Sequence, residues 1–436
     1  MVVNLSNDEA QAIALVAGFI LALLVTLATT PLVRTYARRR GVVDKPEARR
    51  VNKRAVARGG GMAIAVGFIS IAVIMLALNF PLGLRWFEQP PNVGAGQIAA
   101  LLGGAALAVG IGLVDDFLQL RARWQLLGQL ALAAVAVVLG VTVTNVNFPF
   151  VAGGTLHVDS LPGLLVGPAT GAVTVLWIVG MVNSINFIDG LDGLSTGIAL
   201  IAAVTLGIIS LGVGTDEPEP LIALFCFILA GALAGFLRWN FHPATIFSGT
   251  SGIMFVGYSL AVLSILGAAK IAVALLVLGV PIMDTFWIIV RRMVARKSPF
   301  APDRGHIHHR LLDLGLSHRN TVLVIYGVCI TLAILSLVLS VNGQMYAFLG
   351  LVVVFGLALF LIERLGGGAV AIRESLDADS YVAASPPAKG RFVAPSAVTS
   401  SPADDSLAGS AAARTAPAAD PVPAAVATGV DPSNRP

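Results

Sequence analysis

Eleven stretches of apolar residues recur along this chain of 436 residues, each close to the length that a bilayer demands. A helix needs about 20 such residues to cross the hydrocarbon layer. The stretches centre on 11–33, 60–82, 97–114, 126–145, 164–183, 195–213, 219–237, 252–268, 271–290, 321–341 and 345–362. Backbone polar groups inside lipid must be bonded within their own segment, which favours helices over open strands. Charged residues make up only 12% of the chain, against about 25% in soluble domains. The expected fold is therefore an all-α polytopic membrane protein with about eleven transmembrane helices. The first stretch follows Asp8 and Glu9 and runs into a basic segment. A cleavable signal peptide has the opposite flanks, so a retained helix is expected. Cys226 and Cys329 both fall inside expected spans and suggest core thiols, not a disulfide framework.

The distribution of charge orients these spans. Arg34, Arg38, Arg39, Arg40, Lys45, Arg49, Arg50, Lys53, Arg54 and Arg58 crowd the first loop. Arg121 and Arg123 follow in the third, Arg238 in the seventh, and Arg291 to Arg319 in the ninth. The even loops carry only Arg85 and Lys270. By the positive-inside rule the N-terminus lies outside and the C-terminus in the cytoplasm. Basic loops at a membrane point to anionic lipid contact and not to nucleic acid.

The membrane body is expected to span residues 1–365. An Ala/Pro-rich segment, 366–436, has no helical period and few large apolar residues, so a disordered cytoplasmic tail is expected. Residues 141–158 alternate β-branched and other residues around Gly153-Gly154, as a short extracytoplasmic β-hairpin would. No internal repeat is evident, which counts against an inverted-repeat transporter.

The concentrated polar motifs all fall on the face assigned to the cytoplasm. The run Asn183-Ser-Ile-Asn186-Phe-Ile-Asp189-Gly-Leu-Asp192-Gly-Leu194 spaces carboxamides and carboxylates three residues apart. That spacing puts Asn183, Asn186 and Asp189 near one face of a helix end. Such groups are costly beside lipid unless they face water, protein or a ligand. Asp115-Asp116 ends the third stretch, where paired carboxylates could bind a divalent cation, take a proton or simply stop a helix. Ser248-Gly-Thr250-Ser251-Gly252 precedes a helix and suits either an anion nest or an N-cap. Asp284 stands alone in an apolar run, as a functional carboxylate or a buried structural one. His306, His308, His309 and Arg310 form a basic cluster better suited to phosphates than to zinc, since no cysteine or HExxH partner accompanies them. Carboxylates for a metal, basic groups for phosphates and apolar walls for a lipid are the inventory of phosphoryl transfer onto a lipid phosphate.

As a set, Asp115-Asp116, Asn183 through Leu194, Asp284 and His306-Ile-His308-His309-Arg310 resemble the polyprenyl-phosphate N-acetylhexosamine-1-phosphate transferase superfamily. The resemblance covers about residues 10–363. Asp44-Lys-Pro46 with Arg49, Arg58 before Gly60-Gly61, and the form of the histidine loop are similar to the undecaprenyl-phosphate N-acetylglucosamine-1-phosphate transferase branch. The resemblance implies a bacterial inner-membrane enzyme with its active site on the cytoplasmic face. It implies transfer of sugar 1-phosphate from a UDP-sugar to undecaprenyl phosphate, with Mg2+ (or Mn2+) as cofactor and release of UMP. It further implies catalytic roles for Asp115, Asp116 and Asp189, and metal contacts from Asn186, Asp189 and Thr250. Asn183, Asp192, Asp284, His306, His308, His309 and Arg310 would bind substrate. A homodimer is compatible with the superfamily.

Three positions depart from the family pattern. Thr250 stands where an acidic magnesium ligand is usual, Gln125 where a lysine is usual, and Asn52 where a histidine is usual. The competing expectation is a non-catalytic relative that binds polyprenyl phosphate or nucleotide sugar as a regulator or scaffold.

Overall fold

The computed structural model describes residues 7–44, 55–147, 155–158, 162–213, 218–267, 270–294, 296, 306–340, 342–358 and 361. The helices are α1 (Asn7–Arg39), α2 (Gly61–Asn79), α3 (Ala95–Leu118), α4 (Ala122–Val138), α5 (Gly163–Ile188), α6 (Leu194–Ser210) and α7 (Pro220–Asn240), then α8 (Gly249–Leu266), α9 (Lys270–Val277), α10 (Gly279–Val294), α11 (Ile307–Asp313), α12 (His318–Val338) and α13 (Asn342–Ala358). All eleven apolar stretches overlap helix. Among the described residues, α1, α2, α3, α5, α7, α8 and α12 are each long and apolar enough to cross a membrane. Helices α9 and α10, bent by 77° at a short break, could together make an eighth span. The apolar helices α4, α6 and α13 are shorter.

Helices α7 and α8 form the centre: 78% and 89% of their most apolar windows are buried inside the protein, against 22% for α1. Small side chains let α1 lie close against α7. Ala14, Gly18, Ala22, Thr26 and Thr30 recur every four residues on the buried face of α1. A Cβ on Gly231 of α7 would lie 2.1 Å from the Phe19 carbonyl oxygen, and one on Gly235 would lie 2.4 Å from that of Leu23. Close backbone approach through small residues is how helices associate in lipid, where apolar burial alone supplies no drive.

Two short strand pairs complete the fold. Antiparallel β1 (Val43–Asp44) and β2 (Val56–Ala57) follow α1, and Ala57 bridges to Ile246 before α8. This pairing brings Asp44 and Arg58 to the helix ends. Antiparallel β3 (Asn145–Asn147) and β4 (Thr155–His157) fall in the segment expected as a hairpin, and the residues joining them lie outside the described residues. So do Lys45, Pro46, Arg49, Asn52 and the expected tail, 366–436.

Candidate active site

Helix α5 cannot continue past Ile188. Asp189 leaves the helical conformation, and Gly193 adopts φ +78°, a left-handed geometry that favours glycine, before α6 begins. Gly190 is required for a different reason: a Cβ there would fall 2.2 Å from His308 Nε2. The turn 189–193 is thereby pressed against α11 and opens onto a cavity of about 550 Å3. Asp44, Arg58, Asp115, Gln125, Asn186, Asp189, Asp192, Thr250, His309 and His318 are among its lining residues.

The carboxylates at this site are held in fixed orientations. Asp115 accepts from the Leu120 amide (2.8 Å), Gln125 Nε2 (3.0 Å) and the Thr250 hydroxyl. Asp116 accepts from the backbone amides of Thr250 (2.8 Å) and Ser251 (3.1 Å) and from the Ser251 hydroxyl (2.7 Å). Arg58 Nη2 lies 3.6 Å from Oδ1, the oxygen that accepts from the Thr250 amide. With four donors around it, Asp116 caps the first turn of α8 and does not line the cavity. Asp189 accepts one hydroxyl on each oxygen, from Ser195 and from Ser248. Burial pushes its carboxyl up to about 6, against the opposing pull of those two hydrogen bonds.

Asp192 anchors a second cluster. Its Oδ2 accepts from His242 Nδ1 (2.8 Å) and the Ala244 amide (3.0 Å), while its own amide donates to His318 Nε2 (2.9 Å). The two imidazoles stack with centroids 4.2 Å apart. Among the described residues this trio is the one grouping of three His, Cys, Asp or Glu donors close enough to share a metal. The Asp192 amide already occupies the His318 Nε2 lone pair, so the trio reads as a latch joining the turn, the 242–244 loop and α12.

Other residues singled out in the sequence lie away from the cavity lining. Asn183 donates to Gln129 Oε1 (2.7 Å) and ties α5 to α4. Asp284 of α10 accepts from His306 Nδ1 (2.7 Å) and the Ile307 amide (2.9 Å), fixing the start of α11. His306 stacks on Phe187 and on His308, and His308 packs against His309 at the cavity. Burial holds the His308 imidazole well below its usual pKa, so it is neutral. Arg310 is buried. Leaving the buried donors of His306 and Ile307 without their acceptor costs about 1–3 kcal/mol, so Asp284→Ala should lower the melting temperature and open the first turn of α11 to protease. An unchanged proteolysis pattern would contradict that anchoring role.

Oxygen donors at the cavity suit a hard cation by type. Asp115, Asn186, Asp189 and Thr250 all line it, and magnesium is commonly held by one or two carboxylates with substrate phosphates and water. Ser195, Ser248, His242 and His318 were missed in the sequence as partners of these groups. Apart from Ser248, in its small-residue turn, no local pattern marked them.

A membrane-embedded helical body with a carboxylate-rich cavity at its helix ends defines a polytopic membrane enzyme. Comparison with known proteins narrows the class. The pattern of glycosyl transferase family 4 matches residues 98–268. The chain is 36% identical over 360 residues to a probable undecaprenyl-phosphate N-acetylglucosaminyl 1-phosphate transferase of Bacillus subtilis, covering 81% of this chain and 92% of that one. It is 35% identical over 365 residues to the decaprenyl-phosphate N-acetylglucosaminephosphotransferase of Mycobacterium tuberculosis, covering 78% and 87%. An undecaprenyl-phosphate alpha-N-acetylglucosaminyl 1-phosphate transferase of Thermotoga maritima is 28% identical over 287 residues, covering 66% and 78%. The chain belongs to glycosyl transferase family 4, and it is an enzyme of the glycosyl-1-phosphate transferase type.

Proposed function

We propose that this protein transfers N-acetylhexosamine 1-phosphate, with N-acetylglucosamine the leading sugar, from its UDP derivative to undecaprenyl phosphate for cell-wall or surface polysaccharide synthesis. The observation carrying this reading is the single cavity that gathers Asp115, Asn186, Asp189 and Asp192 at the ends of membrane-crossing helices, with Arg58 and His309 beside them. An oxygen of the lipid phosphate attacks the sugar-linked phosphorus of the donor. The bond from that phosphorus to the bridging oxygen breaks, and UMP leaves with the bridging oxygen. The products are a lipid-diphosphate-sugar and UMP.

In this scheme Asp115, steadied by Gln125 and Thr250, faces the incoming lipid phosphate and orients it or takes its proton. Asp116 acts through the α8 turn that it caps. Asn186 and Asp189 lie beside the donor diphosphate, and Asp192 beside the uridine. His309 and Arg58 supply the basic side of the cavity for phosphate, with His306, His308 and Arg310 behind the lining. A magnesium ion, held by Asp189, Asn186 and Thr250, would supply charge neutralisation at the bridging phosphate oxygens. The rest of the reading follows the apolar stretches and the basic loops: eleven spans in a bacterial inner membrane, N-terminus outside, C-terminus and cavity on the cytoplasmic side. A homodimer is compatible with it.

Incubation with undecaprenyl phosphate, magnesium or manganese and a panel of UDP-sugars, with UMP release measured, tests the reading. UMP release with one sugar is expected. Binding of UDP-sugars without release by any sugar and metal would replace it with the non-catalytic one. Burial raises the Asp189 pKa to about 6, while a bound cation favours the ionised form. Below pH about 6 a proton should therefore compete with the metal: the rate at low magnesium should fall on the acid side and recover as magnesium is raised. A rate at low magnesium that stays flat down to pH about 4 would remove Asp189 as the group required in ionised form.

A further inference from the structure

We propose that Ser248 and Thr250 weaken the cavity carboxylates as cation ligands until a diphosphate is present, so that metal and nucleotide bind together. This rests on the nucleotide-sugar reading above. Each carboxylate that lines the cavity near the α8 turn is already engaged. The Thr250 hydroxyl donates to Asp115 Oδ2, while Leu120 and Gln125 occupy Oδ1. The Ser248 hydroxyl donates to Asp189 Oδ2 (2.9 Å) and Ser195 to Oδ1. Each hydroxyl turns its one proton toward a carboxylate oxygen; that oxygen keeps a second lone pair, but the proton's partial positive charge opposes a cation approaching it.

The carboxylates also fail to converge. Among the described residues, the one grouping of three His, Cys, Asp or Glu donors tight enough to share a metal is Asp192, His242 and His318, and its members are bonded to one another. Asp115 and Asp189 belong to no such grouping. They offer single carboxylate oxygens, each released by rotation of one hydroxyl. Magnesium demands near-octahedral oxygen donors and readily takes some of them from substrate phosphates. A diphosphate seated between Asp189 and His309 would bring those oxygens and shift the balance from hydroxyl proton to cation. By linkage the preference is reciprocal: whatever factor nucleotide adds to metal affinity, metal adds to nucleotide affinity.

Manganese serves as the spectroscopic probe, with UDP as a diphosphate that cannot complete the reaction. The loss of the free Mn2+ resonance on titration into the full-length detergent-solubilised protein reports metal binding, with a protein-free Mn2+ and UDP titration subtracted. Calorimetry reports UDP binding in parallel. The expected result is Mn2+ binding at least about tenfold tighter with UDP than without it, and UDP binding tightened by the same factor. Thr250→Asp replaces a capping proton with a charge, so metal binding without UDP should tighten at least about tenfold and the UDP effect should shrink. Ser248→Ala, which uncovers one oxygen of Asp189, should move both quantities the same way by a smaller factor. Wild-type protein binding Mn2+ equally well with and without UDP, while still binding UDP, would overturn the proposal alone. Failure to bind UDP under any metal condition would overturn the nucleotide-sugar reading together with it.

Discussion

Asp189→Asn should abolish UMP release while leaving the protein folded. The substitution keeps the shape of the side chain and removes its charge. The new carboxamide can still accept from one of the two serine hydroxyls that hold Asp189 and can donate to the other's oxygen. The fold therefore loses little. Ionising a carboxyl pushed up to about 6 by burial costs free energy at neutral pH, so removing the charge should leave the melting temperature unchanged or slightly higher. Under the proposed function, the reaction loses the anionic oxygen assigned to the diphosphate. Removing one preorganised electrostatic group commonly costs about 10²–10³ in rate, and more where it also holds the metal. The measurement is the initial rate of UMP release beside a melting curve. Unchanged turnover would take Asp189 out of the mechanism, and a collapsed melting curve would mean that its role is structural.

Gly112→Ala should damage stability and activity together. Gly112 lies on α3 one turn before Asp116, where α3 meets the first turn of α8. A Cβ at this position would fall 2.3 Å from Ser251 Cα, 2.6 Å from its nitrogen and 2.7 Å from the Thr250 carbonyl oxygen. These are backbone atoms and cannot rotate aside. The helices must separate, and the first casualties are the bonds from the Thr250 and Ser251 amides to Asp116. Overpacking of this kind costs about 1–3 kcal/mol, occasionally more. A displacement of about 1 Å at the turn carrying Ser248 and Thr250 could itself cost about 10² in rate. Gly110→Ala on the same helix is the control, because nothing lies within 4 Å of its added Cβ. It should be neutral or slightly stabilising, since alanine favours helix over glycine by about 1 kcal/mol. Equal melting temperatures for the two variants would contradict the close packing of α3 on α8.

The helical, membrane-embedded character was legible because hydropathy belongs to each segment alone and needs no knowledge of partners. The apolar stretches 97–114 and 219–237 lie within or almost within α3 and α7. The bend between α9 and α10 was hidden, because 271–290 reads as one apolar run and only Gly279 and Pro281 hint at a break. The 183–194 cluster stood out because polar groups beside lipid are costly, and its Asp189 and Asp192 do line the cavity. Which residues hold them was not legible. Ser248 reaches Asp189 across 59 residues, His242 reaches Asp192 across 50, and His318 reaches it across 126. Adjacency also misled: Asp115 and Asp116 read as one pair, yet one lines the cavity and the other caps α8 beneath it. No periodicity encodes such long-range pairings.

The central claim is transfer of a sugar together with its phosphate, and the fate of one phosphorus atom tests it. UDP-N-acetylglucosamine labelled at the sugar-linked phosphorus would be incubated with undecaprenyl phosphate, magnesium and the purified protein. The account predicts that the label moves into the butanol-extractable lipid while unlabelled UMP accumulates. Label that stays in the water-soluble nucleotide as UDP, with sugar alone reaching the lipid, would contradict it.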